Sequence, residues 1–167
     1  MGSGKTSVGL EVAADLGWRF ADFDDAVEAE AGMTVAELFA VHGEPHFRAL
    51  EDRVGCRLLL DRNVVLASGG GWAAAPRRLV GLPPGTATFW LKVSAEEAIR
   101  RASGQAERRP LLSGPDALME ASRLLAERAP SYGAAQWTVD TERSSVEDVS
   151  ARILQILSRE YPQTNAE

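Results

Sequence analysis

The sequence predicts a three-layer α/β fold, with helices on both faces of a central parallel sheet. Three observations point there. Short apolar or β-branched runs at 18–23, 64–67, 86–93 and 137–139 alternate with helical patterns, an order that demands crossover connections and hence parallel strands. The second run closes on Gly69-Gly70-Gly71, as a buried strand meeting a loop does. A glycine-rich opening, Gly2-Ser3-Gly4, passes straight into a helical pattern at Lys5.

With 167 residues, 45% apolar and 25% charged, the chain has the balance of one domain (1–167) with a real core. Its net charge of -6 repels nucleic acid and anionic membrane, so an anionic ligand must be met by locally clustered bases. Such bases occur at Arg100, Arg101, Arg108, Arg109 and Arg128. Cys56 is the only cysteine, which leaves no internal disulfide or thiolate metal cage, suits a reducing cytoplasm and predicts a packing role. No basic-then-apolar leader is read at the N-terminus. The longest uncharged stretch, 79–91, is too short to span a bilayer and is broken by Pro83 and Pro84.

Taken in order, Val8, Val12, Ala13 and Leu16 recur at helical spacing from Lys5, and Gly17 is a natural stop. The run 18–23 reads as a strand delivering Asp22, Asp24 and Asp25 to its carboxyl end, ahead of a helix over 26–31. Thr34-Val-Ala-Glu37 is a capping-box pattern that starts a helix, and Gly43 breaks it before a longer one over 44–61. Residues 24–61 thus form a helical insertion. After the strands at 64–67 and 86–93, Ala95–Ala102 is helical. Residues 103–115, with glycines, prolines and Arg108-Arg109, read as a lid. A helix over 116–128, a strand over 137–139 and a helix over 146–157 complete the chain, and the polar tail from Tyr161 is expected to fray.

Gly2-Ser3-Gly4-Lys5-Thr6 matches the end of GxxxxGK[ST], in which backbone N–H groups cradle phosphate, the lysine reaches the outer phosphates and the hydroxyl binds Mg²⁺. The helix that opens there adds its N-terminal dipole, and a plain glycine-serine leader is the other reading. The pattern places its first glycine two positions before Met1. The expectation is that the strand leading into the motif lies outside these 167 residues, leaving its sheet neighbours unpaired and the isolated chain weak in stability and nucleotide binding.

Asp22 and Asp24, two apart near a strand end, point to one side if the backbone is extended. They suit general-base and metal-shell work, or equally the capping of the following helix. Arg48 has Glu51 and Asp52 one turn along, which fits either a held guanidinium or a surface helix pair. His42 and His46, separated by Gly43 and Pro45, are not read as metal ligands.

The order GSGKT, FADFDDAVE, GMTVAELFAVHGEPHFRALE, SGGG, ERRPLL and ERAPSY resembles that of the shikimate kinases, over nearly the whole chain. The resemblance implies a P-loop NTPase-type fold and transfer of the γ-phosphate of ATP to the 3-hydroxyl of shikimate, with Mg²⁺ as cofactor. It implies nucleotide binding by Gly2, Ser3, Gly4, Lys5, Thr6 and Ser7, metal binding by Thr6, and Asp22 acting on the metal through water. By the same resemblance Asp24 orients or deprotonates the acceptor, Arg48 and Arg128 hold its carboxylate, Gly70 donates its N–H to it and Arg109 steadies the transferring phosphates. Arg128 is placed at the end of its helix. Arg101 and Arg143 are weaker candidates near the adenine, and Ser68 for the metal shell. Trp72 receives no role. ATP and shikimate are the expected partners of a cytoplasmic monomer. A related small-molecule kinase such as a gluconate kinase, or a kinase-derived nucleotide-binding protein without activity, stays open as an alternative.

Overall fold

The computed structural model describes residues 2–102 and 116–162. The expected lid over 103–115, with Arg108 and Arg109, lies outside the described residues.

Helix α1 (Lys5–Leu16) begins after Gly4 and stops at Gly17, both in the left-handed region. Strand β1 (Arg19–Asp22) is shorter than the apolar run suggests, because Phe23 already belongs to α2 (Phe23–Ala31). That helix starts three residues earlier than expected, since the Asp22 side chain accepts from Asp24 N–H and caps it.

The capping box at Thr34 forms as predicted, with Glu37 N–H donating to Thr34 Oγ1 at 3.2 Å and Thr34 N–H donating to the Glu37 carboxylate at 2.8 Å. The helix it opens, α3 (Val35–Leu58), is kinked at Gly43, where φ is 75° and ψ 169°, with Pro45 just beyond. Its buried side chains join those of α2 and of Trp72 in one cluster that includes Phe23, Val27, Phe47 and Val54. Cys56 is exposed on this helix, so its expected packing role does not hold.

Strand β2 (Val64–Ala67) leads into a five-residue helix, α4 (Gly70–Ala74), where the sequence suggested only a glycine loop. Trp72, on α4, is 4% exposed and meets Phe23 edge-on at 5.0 Å, so the residue without a role is a core anchor. A 3₁₀ turn (Arg78–Val80) and strand β3 (Phe89–Lys92) follow, then α5 (Ala95–Ala102) and α6 (Ala117–Tyr132). Arg128 is not at the end of α6 as expected. The helix runs on through Pro130 to Tyr132, whose hydroxyl donates to the Gly70 carbonyl at 2.9 Å and ties the last turn to α4. Strand β4 (Trp137–Asp140) and α7 (Val146–Glu160), with a capping box at Ser145, end the described chain.

All strand pairing is parallel, β1 with β2 and β3 with β4. Among the described residues the strands form two separate pairs, in keeping with the sequence expectation of sheet neighbours left unpaired. Helices α1 and α7 pack on each other and on the strands through Val8, Val12, Val139, Val149, Ile153 and Leu157. Helices α5 and α6 meet through Ala95 and Ala121. The site lies where α1, β1 and β2 end or begin.

Candidate active site

The loop before α1 holds Gly2 at φ 64° and Gly4 at φ 85°, conformations that only glycine adopts cheaply. A Cβ at Gly2 would sit 2.4 Å from the Ala98 carbonyl oxygen, so this loop is seated directly on α5. Ser3 is buried, and Lys5 and Thr6 open the helix with its first-turn N–H groups. Thr6 Oγ1 donates to Asp22 Oδ2 at 3.0 Å. One Asp22 carboxylate oxygen thus caps α2, as one of the sequence readings has it, and the other accepts from Thr6.

Thr6 and Asp22 are hard oxygen donors of the kind Mg²⁺ selects. Among the described residues no group of three or more His, Cys, Asp or Glu could hold a metal. A divalent ion held by this hydroxyl, with the carboxylate reached through water, would take the rest of its shell from phosphate and water, which is how Mg²⁺ is usually held. The residues fit the ion.

Asp24 stands at the open side of the site, yet the protein packed behind it raises its carboxyl above the ordinary 3.8. Repulsion from Asp22 adds to that rise, and the nearby Lys5 ammonium opposes it.

The three glycines after β2 explain how separate helices converge. A Cβ at Gly69 would lie 2.6 Å from Glu51 Oε1 and 3.4 Å from Asp24 Oδ1. At Gly70 it would lie 3.0 Å from the Tyr132 hydroxyl and 3.5 Å from Arg128 Nη1. At Gly71 it would lie 2.5 Å from Arg48 Nη1. The absent side chains are what let α2, α3 and α6 bring two carboxylates and two guanidinium groups to one short segment.

Arg48 is held from both sides, donating to Glu51 Oε2 at 2.7 Å and to Glu44 Oε1 at 3.1 Å, with its guanidinium carbon 5.1 Å from the Phe47 ring centre. Burial pulls the Arg48 pKa down, and the bonds to Glu51 and Glu44 outweigh it, for a net rise. Glu51 is also raised, since its burial outweighs the same bond. Arg128 is half-buried, and among the described residues no carboxylate is in ion-pair contact with it, which leaves it suited to an anion from outside.

The sequence profile of the family described as Shikimate kinase matches residues 1–158. The chain belongs to the shikimate kinase family. A shikimate kinase of Symbiobacterium thermophilum is 44% identical over 159 residues, covering 94% of this chain and 91% of that protein. One of Mycobacterium avium is 40% identical over 166 residues, covering 99% and 91%. Among solved structures, the shikimate kinase of Acinetobacter baumannii in complex with shikimate matches with a TM-score of 0.88 at 31% identity, covering 96% of this chain and 90% of that one. The Aquifex aeolicus shikimate kinase gives 0.82 at 30%, covering 96% and 94%. The fold is thus the P-loop fold of the shikimate kinase family.

Within that family frame, the structure brings Thr6 and Asp22 into contact and gathers Asp24, Arg48 and Arg128 about the glycines. It does not leave Arg101 open for a ligand. That guanidinium bonds Glu97 Oε1 at 2.6 Å and Thr141 Oγ1 at 3.2 Å, and also reaches the Thr141 and Glu142 carbonyls, so it ties α5 to the loop after β4. Arg143 is exposed in that same loop, and Ser7 is exposed on α1. Ser68 is half-buried between β2 and the glycines. Two features escaped sequence reasoning. Glu51 holds the Arg48 guanidinium as one of the sequence readings has it, but nothing in its spacing marks it as 1% exposed. Tyr132 follows a proline two residues earlier, the usual sign that a helix has ended.

Proposed function

We propose that the chain transfers the γ-phosphoryl group of ATP to the 3-hydroxyl of shikimate, in the route to aromatic amino acids. The observation that carries this reading is the convergence of Asp24, Arg48 and Arg128 on Gly69-Gly70-Gly71, beside a glycine loop ending in Lys5 and Thr6. Two guanidinium groups on different helices suit a carboxylate gripped from two directions, which fixes the acceptor ring and turns one hydroxyl toward Asp24.

In the reaction the 3-hydroxyl oxygen forms a bond to the γ-phosphorus, the bond from phosphorus to the bridging oxygen breaks, and ADP leaves. The hydroxyl proton passes to the Asp24 carboxylate. Lys5 and the N–H groups of Gly2 to Ser7 hold the phosphates, and Gly70 offers its N–H to the acceptor. Thr6, with Asp22 acting through water, would hold Mg²⁺, which when bound offsets phosphate charge. Arg109, beyond the described residues, is assigned to the transferring phosphoryl on the family resemblance. No helix among the described residues is long and apolar enough to cross a membrane. With one cysteine in the chain, we place the protein in the cytoplasm, acting as a monomer.

Purified protein incubated with MgATP and shikimate should form ADP and a phosphorylated shikimate in equal amounts. Gluconate in place of shikimate should give no product above the no-acceptor control. ADP release that shikimate does not stimulate would overturn the reading.

A further inference from the structure

The two guanidinium groups of the acceptor site are held in different ways. Arg48 is gripped by the carboxylates of Glu51 and Glu44, whereas among the described residues no carboxylate is in ion-pair contact with Arg128. A long side chain without such a partner keeps most of its rotamer freedom, so its aim depends on the backbone that carries it. For Arg128 that backbone is the part of α6 one turn from its close.

Pro130 lies in that turn. Lacking an N–H, it cannot donate to the carbonyl four residues back, and the helix loses a rung just where Arg128 needs a firm base. Gly133 N–H donates to the Ala129 carbonyl at 2.9 Å and closes the helix from within. A further anchor comes from outside it, where the Tyr132 hydroxyl donates to the Gly70 carbonyl at 2.9 Å. The Tyr132 ring packs on Trp90 of β3, with centroids 5.9 Å apart, so the hydroxyl reaches Gly70 from a ring already steadied by a strand.

Tyr132 and Arg128 stand one turn apart and are therefore neighbours on one helix face. Both converge on the same glycine. A Cβ at Gly70 would lie 3.0 Å from the Tyr132 hydroxyl and 3.5 Å from Arg128 Nη1, so hydroxyl and guanidinium flank one point. Gly70 is also the residue assigned to offer its N–H to the acceptor. The bond from Tyr132 thus joins the segment that meets the acceptor to the helix turn that carries its second cation.

We propose that Tyr132 is a positioning residue of the acceptor site: its hydroxyl fixes the last turn of α6 against Gly70 and thereby aims Arg128 at the acceptor carboxylate. The proposal rests on the reading of shikimate as acceptor. Because Tyr132 acts through Arg128, its influence falls on acceptor binding and spares ATP binding and the chemical step.

The test is Tyr132→Phe, which keeps the ring on Trp90 and removes only the donor. In shikimate-dependent ADP release the variant should show a shikimate KM raised roughly fivefold, about the worth of one net hydrogen bond, with the ATP KM unchanged and kcat lowered by less than about twofold. Only folded molecules contribute to KM, so partial unfolding would lower kcat and could not imitate this pattern. Arg128→Ala should raise the shikimate KM further still. Adding Tyr132→Phe to Arg128→Ala should then change it by less than about twofold, since no guanidinium remains to be aimed. An unchanged shikimate KM in Tyr132→Phe beside an active wild type would overturn this proposal alone. So would equal rises in both KM values, or the full fivefold effect persisting in the Arg128→Ala background, either of which marks a purely structural tie. Failure of shikimate to stimulate ADP release by the wild type would overturn the functional reading and this proposal with it.

Discussion

Arg48 and Glu51 share a 2.7 Å bond in which the carboxylate side chain is 2% exposed and the guanidinium 37%. The asymmetry decides what each partner risks. Losing Glu51 leaves a cation that can still reach water and Glu44, whereas losing Arg48 strands a buried acid. Arg48→Ala should therefore raise the shikimate KM by at least about tenfold and cost about 2–3 kcal/mol of stability, below the usual penalty for a stranded charge because Glu51, already raised, can take up a proton. Adding Glu51→Gln to Arg48→Ala should restore part of the melting temperature but none of the KM. Denaturant titration and steady-state kinetics check both.

Glu51→Gln alone separates positioning from chemistry. The amide keeps the volume and one acceptor for Arg48, but loses the charge that holds the guanidinium against Gly71. The expected result is a several-fold rise in shikimate KM with kcat and the ATP KM nearly unchanged, measured by varying each substrate in turn.

Asp24 carries a pKa raised first by burial and second by Asp22, against the pull of Lys5. A folded-state value above the unfolded one means that the ionised carboxylate opposes folding. The penalty is absent below the ordinary 3.8 and is fully present once pH has risen through the raised folded value. Asp24→Asn should thus lower kcat by about 100-fold or more, as loss of a general base does, while unfolding at the same or a higher temperature near pH 7. Thermal unfolding near pH 3 should show that gain gone.

Asp22 does two jobs that one pair of substitutions separates. Asn caps a helix as well as Asp, so Asp22→Asn should leave stability nearly intact and raise the Mg²⁺ concentration needed for half-maximal rate. Asp22→Ala should in addition lose about 1 kcal/mol with the cap on α2. Activity against Mg²⁺ concentration, beside melting curves, reads the two effects independently.

Gly71→Ala places a methyl 2.5 Å from Arg48 Nη1, the mobile end of a side chain. The backbone of Gly71 is ordinary helix, so the fold should survive, with a loss of about 1–2 kcal/mol as the displaced guanidinium weakens its bond to the buried Glu51. Displacement of the guanidinium should raise the shikimate KM several-fold without moving the ATP KM.

The legible part of this molecule was written in local chemistry. Lys5–Leu16, Val64–Ala67 and Ala95–Ala102 fall where spacing and stop residues put them, and the Thr34 cap forms with the partner its spacing names. Errors gathered at boundaries ruled by contacts from afar. Phe23 left its strand for α2 because it is core to a cluster assembled by α3 and α4. Helix α6 passed Pro130 with its last turn tied to Gly70 by Tyr132. The kink at Gly43 could be read as a break, but not the direction it gives Arg48.

By itself the sequence determined the residue types of the site, the alternation of strands and helices, and the order of motifs that marks the family, because capping, turn formation and hydrophobic period act within a few residues. Only the tertiary structure decided that Glu51 is buried beneath Arg48, that Asp22 divides its two oxygens between a cap and Thr6, and that Tyr132 ties the end of α6 to Gly70. Each of these depends on the packing of segments far apart in the chain, where burial and desolvation, rather than local propensity, choose what a side chain does.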